Sequence, residues 1–504
     1  MRLIPRTTSA FFIGVAGMTG PAMAETSVEA LEDRVKRLER IIQAAGLSVP
    51  KDDEPRSAAR RQRSSGTTVR EPAVAANTNS STGGQTQTPR ADFSQEPVAQ
   101  ELIDDEPGEQ ADFAKADPEA AEKDDNPLEF SIGDHTTADI GGYVKVNYLY
   151  SDFSNGDSTD RQRELYTPSR VNVGRGPGSE ATDFSARWTR INLLTNTQLE
   201  GHEIEGYVEF DFFGDEASEA TTGSFGLRLR DAIFELDNTW LFGQTDSTFM
   251  DTAATPETLD QIGPAESISL IRQTQIRYSK NGFAVALENP SVTEEFYDRD
   301  NAAGGTATLQ EEDWPELVGD YRWDHRLGHV GVGALVRRVS NEGIDNPVTG
   351  QRFDDDAALG YGLRLSGRLK IGDGGDDLRF FSTYGDGLGR YVALGLIPAG
   401  TLDENGKVDT ISYASGYLAY KHVWAPKWRS NVVLGTLQVD NNGQSAYGPR
   451  DAATESASSF HVNLIWNPIT PLSFGGEYIY AEREVESGAD GNLDRVQFSA
   501  KYAF

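Results

Sequence analysis

The residues with the most chemistry to offer are arginines. In "LRLRDAIFEL", Arg228 and Arg230 stand two apart, separated by Leu229. Arg277 in "RQTQIRY", and Arg364, Arg368 and Lys370 in "LGYGLRLSGRLKI", fall at the same kind of alternating position. On an extended chain that spacing puts the cations on one face and the aliphatic side chains on the other. A guanidinium fork binds a carboxylate bidentately, and rings of Arg or Lys are a means by which anion-conducting pores select. A second set is acidic. The stretch "DSTFMDTAATPETLDQIGPAES" carries Asp251, Glu257, Asp260 and Glu266. Placed across from the cations, these carboxylates form one wall of a constriction with a transverse field. Each arginine also has a plainer reading, as a solvated lumen residue or a rim residue near lipid headgroups.

Nothing comparable supports bond-making chemistry, and neither an enzyme nor a cofactor is expected. There is no Cys, which removes disulfides, Cys-based zinc sites and thiol catalysis. There is no G-x-S-x-G elbow, no P-loop and no H-E-x-x-H. The six His are scattered without metal-ligand spacing, so no metal is expected. His422 and His461 fall on strands, but the sequence offers neither a serine partner of the kind a lipase needs. "GDGGDD" at 372–377 reads as a tight turn with solvated carboxylates rather than a calcium loop. A net charge of -33 argues against nucleic acid as a partner. It also pulls toward cation preference in a pore. Much of the acid, however, sits in 101–125 and 354–356, whereas selectivity is set at the narrowest point, where low-dielectric walls focus the field.

The elements that must position these residues fall into zones. Residues 1–24 read as a secretory signal peptide, with Arg2 and Arg6, an apolar stretch from Ala10 to Met18 and Ala22-Met23-Ala24 as cleavage site. The zone 25–46 spaces Val28, Leu31, Val35, Leu38, Ile42 and Ala45 at 3, 4, 3, 4, 3, an a/d heptad seam. That is a short α-helical coiled coil, expected to self-associate as a trimer, or else an amphipathic helix packed on something else. Residues 47–128 are rich in Pro, Ser, Thr, Gln and acid, poor in aromatics, and read as a disordered linker.

Residues 129–504 are all β by pattern. Leu359, Tyr361, Leu363 and Leu365 alternate with Gly360, Gly362, Arg364 and Ser366. Sixteen such runs begin near 139, 185, 203, 227, 239, 268, 282, 314, 328, 357, 377, 411, 427, 457, 471 and 493. Connections after odd runs are long and after even runs short, eight against seven. An up-and-down transmembrane barrel of about sixteen antiparallel strands requires this; a miscount by one hairpin gives fourteen or eighteen. In lipid the sheet must close to satisfy its backbone, and sixteen strands enclose an aqueous channel. The alternating "VQFSAKYAF" ends on Phe504, read as the strand that closes the barrel beside Tyr143. Trp188, Trp240, Trp323, Trp424, Trp428 and Trp466 fall near strand ends, as interfacial belts do, although ordinary sheet packing uses Trp as well.

The barrel resembles the DcaP-like porins. The matching stretches are "GYVKVNYLYSDF", "EGYVEFDFFG", "LRLRDAIFEL", "FGQTDSTFMD", "RQTQIRY", "ALENP", "GDGLGRY" and "FSAKYAF". The resemblance implies a trimeric channel in the outer membrane of a Gram-negative bacterium, with its N-terminal extension in the periplasm and its barrel in outer-membrane lipid. It further implies passive passage of small anionic solutes, dicarboxylates among them, and insertion by the barrel-assembly machinery through the C-terminal strand. In sixteen-strand porins the long loop after strand five folds into the barrel; if 245–267 does the same, its carboxylates line one wall of the constriction, and the sequence leaves that open. A second reading makes the barrel an anchor, with the coiled coil and linker tethering the envelope by binding peptidoglycan or a periplasmic partner.

Overall fold

The computed structural model describes residues 129–156, 164–174, 176–214, 225–290, 292–298, 303–310, 314–341, 352–403, 405–441 and 450–504. The chain divides into two units, 1–109 and 110–504, and every described residue belongs to the second. The signal peptide, the heptad seam and the linker therefore lie outside the described residues.

Strands β1 (Glu129–Ile132) and β2 (Thr136–Phe153) come first. Next are β3 (Ser179–Ser185), β4 (Arg190–Leu199), β5 (His202–Gly214), β6 (Gly226–Leu236) and β7 (Trp240–Asp246). After a long connection come β8 (Arg272–Lys280) and β9 (Phe283–Glu288). β10 (Val292–Asp298) and β11 (Ala303–Gln310) form a hairpin of their own. β12 (Glu316–His325), β13 (Gly328–Asn341), β14 (Asp356–Ile371) and β15 (Asp376–Asp386) rejoin the main sheet. The short β16 (Gly400–Leu402) and β17 (Val408–Thr410) pair with each other, and β16 pairs with β10. β18 (Ser412–Ala425), β19 (Trp428–Asp440), β20 (Thr454–Ile469), β21 (Leu472–Val485) and β22 (Asp490–Ala503) complete the chain.

The main sheet closes on itself. β22 pairs antiparallel with β2 from Leu493↔Phe153 to Tyr143↔Ala503, and Phe504 exchanges two backbone hydrogen bonds with Gly142, at 3.0 and 3.1 Å. β3 and β4 are two halves of one wall strand, pairing with the upper and lower parts of β2. With these counted as one, and β1 set aside, the wall is a closed barrel of sixteen antiparallel strands. β1 lies along Thr136–Asp139 of β2, in line with β22 and just past its end. It covers an edge that the closing strand leaves open, and the sequence pattern did not reveal it. Nor did the pattern reveal the small sheet of β10, β11, β16 and β17, which occupies two of the expected long loops.

Short turns join the strands at one end and long loops at the other. The turn after β6 has Asp237 and Asn238 at φ 53° and 48°, the signature of the type I′ turn whose twist matches paired strands. The two faces of the wall differ as the alternation predicts. On β14, Leu359, Tyr361, Leu363 and Leu365 are exposed outward while Gly360, Gly362, Arg364 and Ser366 are buried. Such an apolar outer face is compatible with hydrocarbon surroundings and not with water. Trp240, Trp323, Trp424, Trp428 and Trp466 are all exposed and all lie beside short turns, forming an aromatic belt at that end. Trp188 does not join them. It sits at the break between β3 and β4, only 4% exposed, packed edge-on against Phe213.

Because the outer face requires hydrocarbon, a charge on it carries a depth-dependent cost. Leu363→Arg, near the middle of β14, is expected to destabilise the folded barrel by about 2–4 kcal/mol. Denaturant titration of refolding into phospholipid vesicles reads this out; an unchanged midpoint would mean that Leu363 does not face lipid.

Candidate functional site

The site is the inner wall and the chain that enters it. Residues 247–271, between β7 and β8, cross the barrel and fasten to strands on its far side. Arg364 Nη1 of β14 donates to Phe249 O at 3.0 Å. Asp251 accepts from Ser366 Oγ at 2.7 Å and lies 2.9 Å from His329 Nε2 of β13. Tyr417 of β18 donates to Ala254 O at 3.0 Å, and Arg429 Nε of β19 holds Glu257 at 2.8 Å. Leu259 O accepts from Lys145 Nζ of β2 at 2.6 Å and from Gln497 of β22 at 3.0 Å. Glu266 accepts from Ser459 of β20 and from Tyr166 at 2.7 and 2.8 Å. Wall glycines make room for this packing. A Cβ on Gly435 would stand 2.0 Å from Glu266 Oε1 and 2.6 Å from Pro264, and one on Gly362 would stand 3.1 Å from Phe249.

The loop's four carboxylates thus do a different job from the one their pattern implied. Asp251, Asp260 and Glu266 are 7, 1 and 0% exposed. Asp251 and Glu266 fasten the loop to the wall and Asp260 caps backbone and hydroxyl groups within the loop itself, instead of presenting charge to an aqueous opening. Glu257 pairs with Arg429 and keeps partial exposure. Two other segments also turn inward. Residues 387–399 put Leu388, Tyr391 and Ile397 against Phe249, and 164–174 put Tyr166 and Val171 against Ile262 and Trp188. The lumen therefore holds apolar clusters as well as polar side chains.

The six predicted cations all belong to the wall but do not form one ring. Arg228 and Arg230 sit near the long-loop end of β6, opposite in facing to the exposed Leu227 and Leu229. Both reach the carboxylates of β5. Arg228 grips Asp211 with Nε at 2.9 Å and Nη2 at 2.5 Å. Arg230 bridges Glu209 and Asp211. Arg190 joins at 3.5 Å from Glu209, and Arg187 pairs with Glu164 at 3.0 Å. Four guanidiniums gather here beside three carboxylates, and Arg272 with Asp231 and Asp246 adjoins them, a dense network of both charges that strand parity on β6 indicated only in part. Arg277 and Arg364 are inward and buried, Arg364 against Asp320. Arg368 pairs with Asp377 at 2.8 Å near the short-turn end, and Lys370 is exposed at the last turn of that strand. Of the six, Arg228 and Arg368, with side chains 41 and 35% exposed, combine inward facing with substantial access to water, and Lys370 shares their face of β14 at its exposed end.

The family model for DcaP, the DcaP outer membrane protein, matches residues 134–504, the whole of this barrel. The chain belongs to the DcaP outer membrane protein family. Among solved structures, the outer membrane channel DcaP of Acinetobacter baumannii is 21% identical, with a TM-score of 0.59 over 74% of this chain and 99% of that one. The in-vitro-folded outer membrane protein OmpT of Vibrio cholerae is 13% identical, with a TM-score of 0.43 over 74% and 99%. No curated protein matches the sequence. Membership of the DcaP family and the barrel fold place the chain in the outer membrane as a porin-type channel.

Two loop carboxylates make opposite pH predictions. Burial raises the pKa of Asp251, but His329, Arg364 and Ser366 outweigh it and hold the carboxyl well below its usual range. Burial raises that of Glu266 and prevails over Ser459 and Tyr166. A depressed carboxyl contributes stability above its unfolded pKa of about 3.9 and loses it as pH falls through the folded value. Asp251→Asn is therefore expected to cost about 1–3 kcal/mol at pH 7, a deficit that persists at pH 5 and narrows only below about pH 4. For the raised Glu266 the contribution is present at low pH and lost as pH rises through the folded value, so Glu266→Gln is expected to be neutral or stabilising at pH 7. Thermal unfolding of the detergent-folded barrel at pH 7, 5 and 3 checks both. A deficit for Asp251→Asn that is gone by pH 5 contradicts the assignment.

Proposed function

We propose that this outer-membrane channel passes small hydrophilic anions, dicarboxylates among them, passively and without a cofactor. The observation that carries this reading is Arg228 on β6, which faces the lumen, is oriented by Asp211 and keeps much of its side chain in water beside Arg187, Arg190 and Arg230. A dicarboxylate moving along this wall meets a guanidinium already oriented by Asp211, so little side-chain ordering accompanies contact. The field there is set locally, and the acid of the segment 101–125 lies elsewhere in the sequence. Arg368 at the short-turn end supplies a second water-exposed cation on the same route. The channel is proposed to work as a homotrimer, its N-terminal zone in the periplasm forming a short coiled coil on a flexible linker, with Phe504 ending the strand read by the assembly machinery.

Planar-bilayer recording of the purified full-length protein under a salt gradient tests this. The expected result is an anion-leaning reversal potential, closures in threes and block of the current by added succinate. Arg228→Glu is expected to move the reversal potential toward cations and to weaken the succinate block several-fold. A cation-selective current indifferent to succinate in the unmodified protein overturns the anion reading and leaves the channel in place.

A further inference from the structure

Within the lumen, one cluster is left unexplained by loop fastening alone. Asp260 comes from the inward loop, His461 from β20 and Glu477 from β21, and their potential ligand atoms all lie within 4.8 Å of one another. The strand register makes His461 and Glu477 diagonal neighbours on one face, since Asn463 pairs with Glu477 and His461 with Ile479. The three residues are 1, 0 and 2% exposed. Each has one polar atom that is held and one that is not. Asp260 Oδ1 accepts from Thr258 Oγ1, Ile262 N and Gly263 N at 2.7, 3.2 and 2.9 Å. Glu477 Oε2 accepts from Leu259 N and Asn463 Nδ2 at 2.8 and 2.9 Å. His461 Nε2 lies 3.1 Å from Ser459 Oγ. The remaining atoms, Asp260 Oδ2, Glu477 Oε1 and His461 Nδ1, are buried without a hydrogen-bond partner.

The proton inventory sharpens this. Ser459 has one hydroxyl proton, and it goes to Glu266 Oε1 at 2.7 Å. The Ser459 oxygen is then the acceptor for His461, so Nε2 carries a ring proton, and Nδ1 presents its lone pair to a metal once its own proton is displaced. That lone pair faces Glu477 Oε1 at 3.6 Å, too far for a direct hydrogen bond. Two buried carboxylate oxygens converging on an imidazole nitrogen are neutralised by a proton on that nitrogen or by a metal ion that takes the proton's place. Around a tetrahedral zinc, with ligand bonds of about 2.1 Å, adjacent ligand atoms stand about 3.4 Å apart, close to the His461–Glu477 separation. The held atoms are the outer-shell contacts that orient metal ligands. The charges of one Asp, one Glu and one divalent ion sum to zero. Of the nearby cations, Lys145 donates to Leu259 O, and Arg495 donates to Ser151 Oγ and Glu164 O while its charge also acts on Asp260.

We propose that Asp260 Oδ2, His461 Nδ1 and Glu477 Oε1 bind a divalent transition-metal ion, zinc by its donor set, which clamps the tip of the inward loop to the β20–β21 wall. The ion is structural, and ties a segment between β7 and β8 to strands near the end of the chain.

The test uses untagged full-length protein, folded in detergent, stripped with chelator and titrated with Zn2+, then with Co2+ for its visible spectrum. One saturable site per chain is expected, with a Co2+ spectrum of low coordination number. Glu477→Gln and His461→Gln, each shown to be folded by its heat-modifiable gel mobility, are expected to weaken binding more than about a hundredfold. His422→Gln, on a different pair at the short-turn rim, is expected to leave it unchanged. X-ray absorption of the zinc-loaded unmodified protein, which needs no variant to fold, is expected to show one imidazole among light-atom ligands. Absence of saturable Zn2+ or Co2+ binding overturns the proposal. So does binding that survives both ligand variants, or a zinc shell without imidazole.

Discussion

In hydrocarbon a backbone N–H or C=O has no water to bond to, and each one left unpaired costs several kcal/mol. An open sheet has two unpaired edges, and a membrane-spanning sheet can lose both only by pairing them with each other. In this chain the two edges are β2 and β22, and the seam between them runs from Phe153–Leu493 down to the exchange between Gly142 and Phe504. Everything else in the structure presupposes that seam. It makes one face of every strand an outside and the other an inside. It also explains why the chain carries alternation up to its last residue, since any strand shorter than this would leave part of β2 bare. β1 extends the same cover along Thr136–Asp139, where β22 has run out.

Closure then sets the terms inside. A cylinder of sixteen strands is too wide for its own side chains to fill, so the interior has to be furnished by inserted chain or left to water. This barrel does both. The loop 247–271 lies along the wall from β13 round to β2, held by serine, tyrosine, histidine, lysine and arginine of the wall. The charged groups on β4–β6 instead pair with one another across neighbouring strands. The two halves of the wall have divided the work, one gripping the loop and the other locking its charges into a network from which Arg228 reaches water.

Much of the wall was legible in the sequence, because period-two alternation needs only near neighbours. The expected strand starts fall within about six residues of the observed ones, and the facing of Arg364 against Leu363 and Leu365 follows from β14 having no irregularity. Parity is less reliable on β6, where the register shifts beside Glu209 and Phe210 and leaves both Arg230 and Asp231 buried. Trp188 was misjudged because a break in a wall strand leaves no mark on composition. The role of the loop carboxylates was hidden for a different reason. Asp251, Glu257 and Glu266 take their meaning from His329, Arg429 and Ser459, far along the chain, and no spacing rule links them. His461 is the same problem in sharper form: its neighbours come from a loop two hundred residues earlier and from the next strand.

The loop's partners also impose an order in time. Residues 247–271 follow β7, but apart from β2 the wall strands that hold them, from β13 to β22, come later in the chain, and the contact from Leu259 to Gln497 spans 238 residues. Contacts of such separation form late, because a long loop of chain has to be ordered before they repay it. The grip of Lys145 and Gln497 on the single oxygen of Leu259 joins the first wall strand to the last, so it exists only when those two strands are already side by side. The narrowing of the passage is therefore coupled to completion of the wall: a half-assembled cylinder has no ordered constriction, and an ordered constriction certifies a finished cylinder.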